Sequence, residues 1–80
     1  MFTVYILKSL EFEGKTYIGF TSDIKSRLIA HNHPKNKGWT KRYQPWGILH
    51  VESYGTKKEA IAREKYFKSG VGRRYIQNLL

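Results

Sequence analysis

The sequence predicts an α/β fold of the α+β kind, with elements in the order β-β-α-β-α-α. Three observations carry that expectation. Residues 2–8 and 15–20 alternate around β-formers and are joined by a turn containing Gly14, the pattern of an antiparallel hairpin. Thr56-Lys57-Lys58-Glu59 has the spacing of a capping box at the head of a helix. Gly70 and Gly72 punctuate the chain after that helix and leave a short apolar-edged segment to its end.

In the first strand Thr3, Tyr5 and Leu7 share one face, and in the second Tyr17 and Gly19 do. Glu11-Phe12-Glu13-Gly14 forms the turn, with Gly14 free to take a positive φ. Thr21 or Ser22 is expected to cap the first helix, with Asp23 in its first turn facing the positive end of the dipole. That helix runs to about Asn32 and stops before Pro34, with Ile24 and Leu28 as its apolar stripe. Residues 33–45 are polar and basic, contain both prolines and read as a long loop. Residues 46–54, with Trp46, Ile48, Val51 and Tyr54, read as a third strand. The capped helix continues to about Ser69, where Gly70 is a plausible stop, and Gly72 is expected to break the chain again. A last short helix would bury Ile76, Leu79 and Leu80.

Eighty residues make a single domain, 1–80, with a core that can only be small. Aromatics are 15% of the chain, so a few large side chains must do most of the packing. The absence of cysteine excludes disulfides and thiolate metal sites and suits a reducing compartment. Met1-Phe2-Thr3 does not open a secretory signal, and no stretch approaches the roughly 20 apolar residues of a membrane span. A cytoplasmic protein without a membrane partner is therefore expected. The net charge of +9, from fifteen Lys and Arg against six acids, points to a polyanionic partner, foremost nucleic acid.

Most of the six acids have ordinary explanations. Glu11 and Glu13 lie in the turn, Asp23 at a helix start, Glu59 in the capping box, and Glu52 on a strand where a lysine could pair with it. Glu64 differs, because it falls on the apolar stripe of its own helix with Ala60, Ile61 and Phe67. A carboxylate there needs a partner. Either an arginine such as Arg27 pairs with it, or it is a ligand for magnesium or manganese. Magnesium commonly takes only one or two carboxylates and fills its shell with water and phosphate oxygens.

Arg27 and His31 stand one turn apart and border the buried stripe of the first helix. A guanidinium suits a phosphoryl group gaining negative charge, and an imidazole suits proton transfer near neutral pH. Taken singly, a surface arginine and a dipole-stabilising histidine explain them better than a catalytic role does. Tyr5 and Tyr17 could be simple cross-strand packing. As a base, a phenol costs about 4 kcal/mol to ionise at pH 7 and would need a cation nearby, whereas its hydroxyl could orient water without ionising. His31-Asn32-His33 has no third ligand at zinc spacing. Lys35, Lys37, Lys41 and Arg42 interleave with Trp39 and Tyr43, cations for phosphates beside stacking surfaces for bases, against the plainer reading of a solvated basic loop.

Together these residues resemble the GIY-YIG nuclease superfamily, in particular its small single-domain bacterial members, over nearly the whole chain. Thr3-Val4-Tyr5 stands where the family has Gly-Ile-Tyr, and Tyr17-Ile18-Gly19 is the second signature intact. Arg27 matches the family's helix arginine, His31 its assisting histidine or tyrosine, Glu64 its metal-binding glutamate, and Asn78 its late asparagine. The resemblance implies a three-stranded antiparallel sheet flanked by helices, and DNA cleavage with one divalent ion, Mg2+ or Mn2+. By the same resemblance Tyr5 activates or orients water, Tyr17 holds water or the scissile phosphate, Arg27 stabilises the transition state, and Glu64 holds the metal. The departure is Thr3 for glycine, a small side chain that a strand accommodates. By the resemblance, larger members carry additional target-selecting domains; none is expected within these eighty residues, so a protein partner for targeting is a further expectation.

The leading expectation is a structure- or strand-directed endonuclease acting on DNA rather than RNA. The alternatives are a nucleic-acid-binding module that keeps the fold without physiological cleavage, and a basic subunit that docks an acidic protein.

Overall fold

The computed structural model describes all residues 1–80. Strand β1 (Phe2–Ser9) and strand β2 (Thr16–Thr21) form the hairpin, and Gly14 supplies the positive φ, 83°, at its turn. Strand β3 (Trp46–Tyr54) pairs antiparallel with the other side of β1, so the sheet order is β2-β1-β3. The sheet is three-stranded and antiparallel, in the predicted β-β-α-β-α-α order.

The central strand explains the layering. Val4, Tyr5, Ile6 and Leu7 are all essentially inaccessible, which requires cover on both faces. Val4 and Ile6 pack with Ala60, Phe67 and Ile76 under helices α2 (Lys57–Lys68) and α3 (Gly70–Leu79). Tyr5 and Leu7 pack with Trp46 under helix α1 (Ile24–Asn32) and a 3-10 helix at Trp39–Tyr43. The sheet is thus the middle of three layers. No helix is long and apolar enough to cross a membrane.

Several local expectations change. Asp23, not Thr21 or Ser22, caps α1: its carboxylate accepts from the Ser26 amide and hydroxyl, while Thr21 Oγ1 accepts from the Asp23 amide. The loop 33–45 contains the 3-10 helix. Gly70 does not stop α2 and Gly72 does not break the chain. Ser69 ends α2 and caps α3, and Gly72 is buried inside α3. A side chain at Gly72 would run into the Tyr66 carbonyl and lie 2.5 Å from the Phe67 Cα. Glycine is there because α3 folds directly back onto the end of α2. Of the expected α3 core residues only Ile76 is buried; Leu79 and Leu80 remain 37% and 48% exposed at the chain end.

Glu52 pairs with an arginine rather than a lysine. Arg63 Nε and a terminal guanidinium nitrogen donate to its two oxygens at 2.7 and 3.2 Å. The Tyr54 hydroxyl donates at 2.6 Å, and His50 Nε2 lies 2.8 Å away. This network ties β3 to α2, with the Arg63 guanidinium stacked over Tyr66 and Phe67.

Candidate active site

Strand register brings the tyrosines together. Tyr5 faces Gly19 and Leu7 faces Tyr17 across the hairpin, so both phenols rise on the α1 side, with ring centres 6.2 Å apart and planes 30° from parallel. Gly19 makes room for this: a Cβ there would meet the Tyr5 hydroxyl at 2.6 Å and its Cζ at 2.8 Å. Thr3 is half-buried in the strand and pairs with Thr21 without disturbing the ladder.

His31 is the one buried residue of α1. Its Nε2 lies 3.1 Å from the Tyr5 hydroxyl and its Nδ1 3.0 Å from Thr40 Oγ1, and its ring centre is 4.7 Å from that of Tyr17. Burial, and then the positive charge of Arg27, hold the imidazole below its ordinary pKa of 6.5, so it is neutral at pH 7. Burial pushes the Tyr5 phenol well above its usual range; the Tyr17 phenol and Glu64 push the same way, and Arg27 opposes them.

The loop after α1 builds the wall behind His31. Asn36 Nδ2 donates to Thr40 Oγ1 at 2.7 Å and to the His31 carbonyl at 3.2 Å. Gln44 Nε2 donates to the same carbonyl at 2.6 Å, and Trp46 Nε1 donates to the Thr40 carbonyl at 2.7 Å. Asn32 extends the tie, accepting from the Trp46 amide and donating to its carbonyl. The sequence reading missed Thr40, Asn36, Gln44 and Asn32. These residues carry no spacing signal, because short polar side chains in a proline-bearing loop usually serve turns.

A hollow of about 320 Å³ opens here, lined by Tyr17, Arg27, His31, Asn36, Trp39 and Thr40. Arg27 is exposed and forms none of the three ion pairs in the protein. Trp39 is half exposed and continues the aromatic tier, 6.4 Å from Tyr17 with planes 29° apart.

The other predicted residues are placed less uniformly. Glu64 sits on α2, in the layer across the sheet from α1, and does not line the hollow. Its negative charge nonetheless reaches the Tyr5 phenol. It pairs with Lys68 at 3.1 Å rather than with Arg27. Lys35 and Lys37 are exposed, and the Lys41 ammonium donates to the Pro34 carbonyl. Tyr43 is packed against Phe12 and the core, with Arg42 and Lys15 over its ring. Asn78 is exposed on α3 and lines none of the hollows.

No three His, Cys, Asp or Glu side chains converge to hold a metal ion. The donor chemistry available is one carboxylate. Glu64 Oε1 accepts from Lys68, while Oε2 has no protein partner and is not buried. One free carboxylate oxygen fits a magnesium-type ion that keeps waters and takes phosphate oxygens.

Tyr17, an unpaired arginine and a histidine hydrogen-bonded to Tyr5 thus meet at one open hollow, while Tyr5 itself is buried behind His31 and does not line it. The family model for the GIY-YIG catalytic domain matches residues 1–76, and the chain belongs to that family, which is one of nucleases. It is 38% identical over 66 residues to a UPF0213 protein of Staphylococcus epidermidis, covering 82% of this chain and 78% of that one. It is 40% identical over 64 residues to the UPF0213 protein YazA of Bacillus subtilis, covering 80% and 63%. A UPF0213 protein of Streptococcus agalactiae is 35% identical over 65 residues, covering 81% and 72%. The chain therefore spans less than two thirds of the Bacillus relative and more of the other two. No solved structure matches it.

Proposed function

We propose that this domain is a cytoplasmic, divalent-metal-dependent endonuclease that hydrolyses phosphodiester bonds in DNA, directed by the structure or strandedness of its substrate. The observation that carries this reading is the hydrogen bond between the buried Tyr5 and His31, which itself lines a hollow that also exposes an unpaired Arg27. With its proton on Nδ1, donated to Thr40, the imidazole accepts the Tyr5 O–H at Nε2. Tyr5 then takes a proton from the attacking water as it passes its own to His31. The new P–O bond forms from that water, and the P–O3′ bond breaks, the leaving O3′ taking a proton from solvent. This relay never requires a free phenolate, whose formation would cost more than the about 4 kcal/mol of an unburied phenol at pH 7.

Arg27 places two N–H donors on the non-bridging phosphate oxygens, where negative charge grows. The Tyr17 hydroxyl holds the water or the scissile phosphate. Glu64 would hold one Mg2+ or Mn2+ ion, which supplies positive charge for the leaving oxygen when bound. Trp39, with Lys35 and Lys37, would carry the adjoining strand, and a protein partner for target selection suits so small a domain.

The test is cleavage of plasmid and branched DNA with magnesium or manganese, comparing wild type with Glu64→Ala and Arg27→Ala. Metal-dependent nicking lost in both variants is expected. DNA binding without cleavage would favour the binding module instead, a reading that the Glu64–Lys68 pair keeps open. Glu64→Gln should keep its fold and lose magnesium-induced amide shifts in NMR; identical shifts in both proteins would remove Glu64 as the metal ligand.

A further inference from the structure

Three hollows indent the surface, and their charges differ. One, at the turn, mixes Lys8 and Lys15 with Glu11 and Glu13, so its charge is balanced. The other two are lined by cations and no acid. The first of these is the hollow with Arg27 described above. The second has about 350 Å³ and lies between β2 and the α2–α3 elbow, lined by Thr16, Tyr17, Lys68, Arg73 and Gln77 over an apolar floor of Ile18 and Ile76. Tyr17 is the residue they share.

We propose that this second hollow is a phosphate subsite, seating a backbone phosphate of the substrate strand beside the one cleaved. The inference rests on the nuclease reading of the first hollow and adds the path of the strand. β2 is an edge of the sheet, so a nucleic-acid backbone can pass around it from the α1 layer to the α2–α3 layer without crossing the core. Tyr17, on that edge, separates the two seats. The same path brings the strand past Lys68, the partner of Glu64.

Lys68 is paired with Glu64, but the other donors in the second hollow are uncommitted. The side chains of Thr16, Arg73 and Gln77 make no hydrogen bond within the protein, and Arg73 is in none of its ion pairs. Arg73 also stands in the first turns of α3, near the helix end whose dipole disfavours a cation, and no acid in that turn compensates it. Its position does little for the helix and suits an anion. Arginine offers a phosphate two parallel N–H donors, Lys68 a mobile point charge, and Thr16 and Gln77 neutral donors at the rim.

The experiment is equilibrium binding of a short fluorescein-labelled DNA oligonucleotide in EDTA, over a range of salt, by the full chain and by Arg27→Ala, Arg73→Gln, Arg73→Lys and Lys58→Gln. Lys58 is a control for bulk charge, exposed about 15 Å along α2 from Lys68. Arg73→Gln is expected to weaken binding about 3- to 10-fold and to reduce the log–log salt slope by about 0.7–0.9, the loss of one phosphate contact. Arg73→Lys should keep most of the slope, and Lys58→Gln should change little. Replacing phosphates singly by neutral methylphosphonate should reveal one position that weakens wild-type binding and has no further effect on Arg73→Gln. Arg73→Gln with wild-type affinity and slope, or a loss no larger than that of Lys58→Gln, would overturn the subsite. If binding depends on Arg27 but not on Arg73, the subsite alone falls. If the wild type binds no oligonucleotide, the nuclease reading falls and takes the subsite with it.

Discussion

His31 Nε2 lies 3.1 Å from the buried Tyr5 hydroxyl, and the two residues come from different layers, strand and helix, 26 positions apart. This pair gives the site its proton-transfer axis. The imidazole is kept neutral by burial and by Arg27, and the phenol is kept protonated by burial.

The first prediction is a pH–rate profile whose acid limb has its midpoint below the ordinary histidine value of 6.5. His31 must be unprotonated to accept, and its folded-state pKa is lowered, so activity persists into mildly acidic solution. Tyr5→Phe and His31→Ala should each reduce cleavage by about 10²–10⁴, and His31→Ala should abolish that limb. A limb that survives in His31→Ala would remove the histidine from the relay. The same shift affects stability: the unfolded chain binds the proton more tightly, so the contribution is full above about pH 6.5 and is lost as pH falls towards the lowered native value.

Gly19→Ala should inactivate the domain without unfolding it. The added methyl meets the Tyr5 hydroxyl at 2.6 Å, and that ring has no space to yield because His31 holds its tip. A cost of about 1–3 kcal/mol is expected from overpacking, read as a lowered Tm, together with cleavage reduced as far as in Tyr5→Phe. Wild-type activity would mean that the phenol's position is not critical.

Gly72→Ala and Gly70→Ala should behave oppositely, although the two glycines lie in one helical turn. At Gly72 the new Cβ meets backbone of α2, which cannot rotate away; at Gly70 nothing lies within 4 Å. The former should lower Tm sharply or prevent folding. The latter should be neutral or stabilising by up to about 1 kcal/mol through the unfolded chain's lost freedom. Equal melting temperatures would show that the elbow is not tightly packed.

Acid unfolding should report the Glu52 network. Hydrogen bonds from Arg63, assisted by His50 and Tyr54, pull the Glu52 carboxyl from 4.5 down to about 2. Because the native pKa is the lower, this stabilisation is complete above about pH 4.5 and drains away as pH falls towards about 2. Arg63→Gln should move the acid transition to higher pH and cost about 1–3 kcal/mol at neutral pH. An unchanged acid midpoint would show that the pair contributes nothing.

The hairpin, the α1 span and the third strand were readable because alternation, capping residues and proline act over a few neighbouring positions. Tyr5, Tyr17, Arg27 and His31 could be chosen as partners for the same reason: period two puts the phenols on one face, and one helical turn aligns the other two. The elbow was misread because Gly72 looks like a breaker locally, whereas its smallness answers a contact with Tyr66 and Phe67. Glu64 stands out in the sequence as a carboxylate on an apolar stripe, but the stripe cannot reveal that Lys68, four residues on, takes the arginine's place.

By itself the sequence determined which chemical groups are present, the strands and helices that carry them, and the spacing that lets a tyrosine pair and an Arg–His pair form. Only the tertiary structure decided that Thr40 and Asn36 hold the imidazole, that Glu64 lies across the sheet, and that two cationic hollows meet at Tyr17. The physical reason is range: propensity and periodicity are set by near neighbours, while contacts between distant segments depend on how three layers close on one buried strand.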